Sequence, residues 1–214
     1  MLNCVEDNEA RIVGYVDNYL TYSHEVHAER FYHFNIRVRR LSDNEDIIVV
    51  TISEKLLSEI KIEPNTKVEI IGQFRSYNNY TDSGIRLILT LFARDIHLVS
   101  QEAEQENEVY LNGYICKPVI YRVTPFGREI ADILLAVNRA YNKSDYIPCI
   151  AWGRNARFAR NLTVGQNIRL FGRMQSREYQ KKLSENEAVT KTAYEVSVSR
   201  LEAVPSEREN SINL

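Results

Sequence analysis

The stretch YIPCIAWGRNARFARNLTVGQNIRLFGRM, residues 146–174, decides the fold. Its ends, YIPCIAW and QNIRLFGRM, carry β-branched and aromatic residues with partial period-two alternation and read as strands. Between them RNARFARNL, residues 154–162, spaces Ala156, Phe158, Ala159 and Leu162 as one helical face. Working outward, VYLNGYI and ADILLAV supply two strands before this segment, and AYEVSVSRL supplies one after it. Strand–strand–strand–helix–strand–strand is the order of a small five-stranded Greek-key barrel, the OB-fold.

The same order occurs twice. KVEIIGQF (67–74) aligns with NIRLFGRM (167–174), NEARIVGYV (8–16) with NEVYLNGYI (107–115), and FNIRVRR (34–40) with LLAVNR (134–139). Gly72 matches Gly172, Ser76 matches Ser176, and EKLLSEIKI (54–62) takes the place of the helix. Between the copies, SQEAEQENE (100–108) has Ala103 as its one apolar residue and reads as an exposed linker. The expectation is an all-β protein with one short helix per domain, built from two tandem OB-fold barrels. Residues 1–100 form a diverged acidic domain, 101–106 a charged linker, 107–204 a basic domain and 205–214 a short flexible tail. Gly172 is expected to let the fourth strand bend at the barrel's rim.

A chain of 214 residues with 44% hydrophobic content suits a globular protein, and no apolar run approaches the roughly 20 residues of a membrane span. The opening MLNCVEDNEARIV has early acids and no apolar core, so it does not read as a signal peptide and points to the cytoplasm. Cys4, Cys116 and Cys149 are odd in number and widely spaced, against a disulfide framework or zinc site; Cys116 and Cys149 read as buried thiols within strands. All four histidines, His24, His27, His33 and His97, lie in the first half, and no phosphate-binding glycine loop is present. His24 and His27 lack a completing metal ligand and read as a surface loop, while Glu59 and Lys61 lack an aspartate partner in the helical segment. Neither an enzyme nor a cofactor is expected.

Charge separates the copies. Residues 107–204 hold 15 Lys/Arg against 9 Asp/Glu, whereas residues 1–100 hold 11 against 15. A net charge of −2 therefore hides a basic half that suits a polyanion. Single strands are held by basic grooves following the phosphates and by rings on which bases stack, worth about 1–3 kcal/mol each. The second half interleaves the two. Arg122, Phe126 and Arg128, with Tyr121, fall in the loop-rich segment after its first strand. Tyr146 and Trp152 bound the third strand on one face, and Arg173, Arg177, Tyr179, Lys181 and Lys182 lie where the fourth strand leaves the barrel. These are the places an OB-fold uses for binding. Trp152 fits equally well as a core residue, and Arg154, Arg157 and Arg160 read as a solvated helix face.

The second half also resembles bacterial single-stranded DNA-binding proteins over residues 107–203. The motif residues are Asn107, Val109, Leu111, Gly113, Pro118, Thr124, Gly127 and the run Leu135-Ala136-Val137-Asn138-Arg139, followed by Ile147-Pro148, Trp152-Gly153, Ala156, Gly165 and Gly172. The resemblance implies that Tyr146 and Tyr179 stand where the family places base-stacking tryptophans, and Trp152 where it has a strand-end aromatic. It further implies coating of single-stranded DNA in replication, recombination or repair, in the cytoplasm on the nucleoid. Some bacterial members carry two OB-folds per chain, which implies a homodimer presenting four. Family tails end in an acidic, aromatic tip that recruits replication and repair proteins; PSERENSINL (205–214) has two acids and no aromatic.

In the acidic half, RSYNNY (75–80) places Arg75, Tyr77 and Tyr80 as a secondary single-strand contact, and this half also offers Phe31, Tyr32, Phe34 and the pair Arg39-Arg40. The alternative is that this half supplies a dimer surface or docks a protein. The whole chain then reads as an accessory of replication restart or conjugation that binds DNA weakly.

Overall fold

The computed structural model describes residues 7–40, 42, 44–81, 84–182 and 188–205, except the side chains at 79–81, 84–86, 179, 181–182, 188 and 191. The first copy comprises β1 (Asn8–Val16), β2 (Thr21–Val26), β3 (Glu29–Arg39), β4 (Glu45–Ser53), α1 (Glu54–Leu57), β5 (Lys67–Thr81) and β6 (Gly84–Leu98). The second repeats it as β7 (Glu106–Ile115), β8 (Ile120–Val123), β9 (Glu129–Arg139), β10 (Lys143–Trp152), α2 (Arg154–Ala159), β11 (Asn167–Lys182) and β12 (Ala188–Ala203). Each copy is an OB-fold barrel. Its five main strands close through the antiparallel β1–β3 and β7–β9 contacts and the parallel β4–β6 and β10–β12 contacts.

A short additional strand, β2 or β8, forms a hairpin onto the barrel. The sequence pattern misses both because nearly every residue of TYSHEV and IYRV lies at the surface, leaving no buried alternation to read. The helices are also shorter than their patterns. In α2, Ala156 and Ala159 are fully buried and Phe158 is 43% exposed, while Leu162, three residues past the helix end, is nearly buried. Position 158 lies about 200° around the helix from 156, so two alanines alone let the helix sit close on the barrel. In the first copy Ser53 caps α1, whose Lys55 N–H it accepts, and the helix stops at Leu57.

The core follows strand alternation. Phe34, Ile36, Ile48, Ile52, Ile70 and Phe74 fill the first barrel; Leu111, Ile115, Leu135 and Ile147 fill the second. Each such side chain contributes about 1.5–3 kcal/mol on burial. Gly172 sits at a register shift between β11 and β12. A Cβ there would lie 2.3 Å from the Ser197 carbonyl oxygen, so the bend expected at this glycine comes with a close backbone approach. Gly72 repeats it against Phe92 at 2.1 Å.

The barrels are joined edge to edge. β1 and β7 pair antiparallel, with Ala10 opposite Val109, so all twelve strands form one continuous sheet. Residues Glu106–Glu108, read from the sequence as part of the exposed linker, lie in β7 and take part in this pairing. Just before them, the Lys67 ammonium donates to the carbonyls of Gln101 and Ala103, and Gln105 accepts from the Arg39 N–H at 2.9 Å. Among the described residues, no helix is long and apolar enough to cross a membrane.

Candidate nucleic-acid interface

Alternation along β10 sends Asp145, Ile147, Cys149 and Ala151 inward and turns Tyr146 and Trp152 outward, 47% and 39% exposed. Six residues separate them, so the two rings stand about 20 Å apart along one strand. Trp152, for which a core position was the competing reading, opens onto a groove. Arg173, Gln175 and Arg177 of β11 line this groove together with Arg40, Asn44 and Glu45 of the first copy. The participation of first-copy residues is invisible in the sequence.

The arginines of the groove are already engaged. Arg173 pairs with the buried Asp46 of the first barrel at 2.7 Å and donates to Gln175 at 3.1 Å. Arg40 binds the same carboxylate at 2.6 Å, and that hydrogen bond raises its pKa further. Arg177 lies 3.7 Å from Glu195. Arg122 pairs with Asp132 at 3.0 Å on the exposed face of the β8–β9 hairpin. Arg128 and Phe126, the latter 92% exposed, sit on the turn that the Thr124 N–H closes on the Arg128 carbonyl at 2.8 Å. Tyr121 is tied down: its hydroxyl donates to Glu129 at 2.5 Å, which raises the phenol pKa, and Arg160 lies over its ring. Arg157 of α2 pairs with Glu129 at 2.9 Å.

Tyr179, Lys181 and Lys182 continue β11, paired with Lys191, Val189 and Ala188. Their side chains, like that of Tyr80, lie outside the described residues, as does Cys4. Cys149 is buried and burial raises its thiol pKa; Cys116 falls just beyond β7, is only half-buried, and donates to the Leu134 carbonyl at 3.2 Å.

The first barrel presents a different outer face. Arg75 lies 3.9 Å over the Phe92 ring and donates to Gln73. Phe92 packs on Phe31 at 5.8 Å, and Phe31 stacks on His24 at 5.0 Å and 10°. The sequence reading placed His24 in a surface loop; it lies on β2, and only His27 falls in the β2–β3 turn. Phe92 was not singled out at all, because the three rings come from three strands and meet only on the sheet. Tyr77 borders the same groove, 41% exposed, with burial raising its phenol pKa. His33 lies beside it, and burial, then the charge of His24, lower its pKa. Phe34 is core, and Tyr32 packs edge-on against Tyr22. Where Tyr146 and Trp152 stand on β10, the register puts Ile47 and Ser53 on β4.

Fold and groove define a tandem OB-fold protein with exposed rings set among arginines, and the comparisons supply the family. A model described as the Single-strand binding protein family matches residues 106–204. Single-stranded DNA-binding protein 1 of Streptococcus pyogenes serotype M18 is 33% identical over 96 residues, 42% of this chain and 74% of the relative. Single-stranded DNA-binding protein A of Bacillus subtilis is 35% identical over 103 residues, 45% of this chain and 59% of the relative. The match to protein 1 of Staphylococcus aureus covers 48% of that relative, so the chain spans about half the length of several relatives it matches. The wild-type single-stranded DNA binding protein from Thermus aquaticus shares the fold over 93% of both chains, with a TM-score of 0.76 at 16% identity. The chain belongs to the single-strand binding protein family.

Proposed function

We propose that this chain binds single-stranded DNA without strong sequence preference, coating and protecting it during replication, recombination or repair. The supporting observation is the pair of outward rings on β10, Tyr146 and Trp152, the second opening onto an arginine-lined groove. Bases stack on Tyr146, Trp152 and Tyr179. Arg122, Arg128, Arg177, Lys181 and Lys182 follow the phosphates, and Phe126 offers a further ring at the β8–β9 turn. Arg173 contacts phosphate while its bond to Asp46 holds the groove wall. No cofactor takes part.

Residues 1–100 and 107–204 act as two units in this reading, joined by 101–106. The first supplies a secondary contact through Arg75, Tyr77 and Tyr80, beside the His24–Phe31–Phe92 stack. Two chains associate as a homodimer presenting four folds, working in the cytoplasm on the nucleoid with replication or repair proteins as partners. The net acidity of residues 1–100 favours a second reading, in which this half docks a protein and DNA binding is weak.

Anisotropy titrations of labelled oligo-dT and of a duplex of equal length, at several salt concentrations, separate the two. Tight single-strand binding that falls steeply with salt supports coating. Equal affinity for both DNAs sinks it.

A further inference from the structure

The two barrels hold each other through a reciprocal clasp, and its two halves differ in one respect that bears on binding. In one half, the Ser176 N–H donates to Asp46 Oδ1 at 2.9 Å, and the Ser176 hydroxyl accepts the Ile47 N–H at 3.0 Å. In the other half, the Ser76 N–H donates to Asp145 Oδ1 at 2.8 Å, and the Ser76 hydroxyl accepts the Tyr146 N–H at 2.6 Å. The same serine–aspartate pair thus fixes Ile47 on one side and Tyr146 on the other. One backbone carries an aliphatic side chain and the other an exposed ring.

The halves also differ in strength. Asp46 is gripped by Arg40 at 2.6 Å and Arg173 at 2.7 Å, and Arg40 donates as well to the Ser176 carbonyl at 2.9 Å. Asp145 has Arg139 at 3.5 Å. Around Tyr146, the Ser76 hydroxyl is therefore a larger share of what fixes the strand. Both aspartates are 2% exposed or less and Ser76 is 6% exposed, so water does not readily replace a lost partner.

We infer that Ser76, in the first barrel, is a positioning residue for base stacking on Tyr146 of the second. The inference rests on the stacking role proposed for Tyr146. Ser76 touches no DNA in this scheme. It fixes the peptide from which the ring projects, which makes the first barrel part of the second barrel's binding site whether or not it contacts the strand itself.

The test uses the full chain with Ser76→Ala, Ser76→Thr, Ser176→Ala and Tyr146→Ala, each titrated with oligo-dT at two salt concentrations. Thermal melting and hydrogen exchange at the Tyr146 amide accompany the titrations. Removal of one hydrogen bond of this kind predicts an affinity loss of about fivefold for Ser76→Ala. The salt slope should stay unchanged because no phosphate contact is lost. Ser76→Thr keeps the hydroxyl and should retain wild-type affinity. Ser176→Ala should lower the melting temperature comparably but change affinity less than about twofold, since it frees Ile47 and not a ring. Exchange at Tyr146 should quicken in Ser76→Ala alone. Should that variant not fold, Ser76→Cys, a weaker acceptor, should show faster exchange and lower affinity than Ser76→Thr.

Equal affinity losses in the two alanine variants, or unchanged affinity in Ser76→Ala alongside a loss in Tyr146→Ala, overturn the positioning role. Unchanged affinity in Tyr146→Ala removes the stacking reading, and the inference with it.

Discussion

Replacing Asp46 with alanine tests the joint between the barrels most severely. Its carboxylate is 1% exposed and receives the Ser176 N–H at 2.9 Å, two Arg40 nitrogens at 2.9 and 2.6 Å, and Arg173 at 2.7 Å. The arginines are 24% and 36% exposed at the side chain and can regain water when released. The Ser176 amide cannot turn away, because it belongs to a strand. An unsatisfied buried donor costs about 1–3 kcal/mol. A fully buried ion pair broken on one side costs about 3–5 kcal/mol. The partial exposure of the arginines puts Asp46→Ala between these, at about 3 kcal/mol. At roughly 2–4 °C per kcal/mol for a chain of this size, the melting temperature should fall by about 6–12 °C. Asp46→Asn keeps an acceptor for the amide and should lose about half as much. Urea and thermal unfolding of both variants measure this directly. A loss below about 1 kcal/mol for Asp46→Ala would show that this half of the clasp is screened by solvent and that the β1–β7 pairing and the Ser76–Asp145 half hold the barrels together without it.

Tyr146→Ala combined with Tyr179→Ala should weaken oligo-dT binding at least about tenfold without unfolding the chain, as judged by anisotropy and circular dichroism. Arg177→Ala should lower the slope of log K against log salt by about 0.7, whereas Tyr146→Ala should leave that slope alone. Gly172→Ala should cost about 2–3 kcal/mol in urea unfolding, because its Cβ meets the Ser197 carbonyl, which the strand pairing holds in place. His33 has its pKa lowered from 6.5 in the folded chain, so the unfolded chain binds more protons below that value. Stability should therefore rise as pH climbs toward 6.5 and just past it, and His33→Gln should flatten that rise in melts at a series of pH values.

How much of this was legible in the sequence follows the reach of each interaction. The α2 segment announced itself because Ala156, Ala159 and Leu162 recur at helical spacing within a single short window. Gly172 and Gly72 stood out because both copies place a glycine where the fourth strand bends. Tyr146 and Trp152 were found because a strand's period puts residues six apart on one face. The clasp was not legible. Ser76 and Asp145 are 69 residues apart, and a serine beside a tyrosine has no pattern that marks it as a partner of another barrel. The His24–Phe31–Phe92 stack escaped for the same reason, and β2, exposed along its length, carries no periodicity to connect His24 with Phe31. Charge is only partly legible: Arg173 reads as a phosphate ligand, but its bond to Asp46, shared with Arg40, goes unread because no local pattern reveals the burial of Asp46.

Stacking of bases on the outward rings of β10 and the adjoining hairpin is the step on which the proposed function rests. Photocrosslinking of the full chain to an oligonucleotide carrying 5-iododeoxyuridine, followed by mass spectrometry of the peptides, reads this directly. Adducts are expected at Tyr146 and Trp152, with Tyr179 as a third position. Efficient crosslinking that leaves β10 and β11 untouched, or falls only on the first barrel, contradicts that stacking.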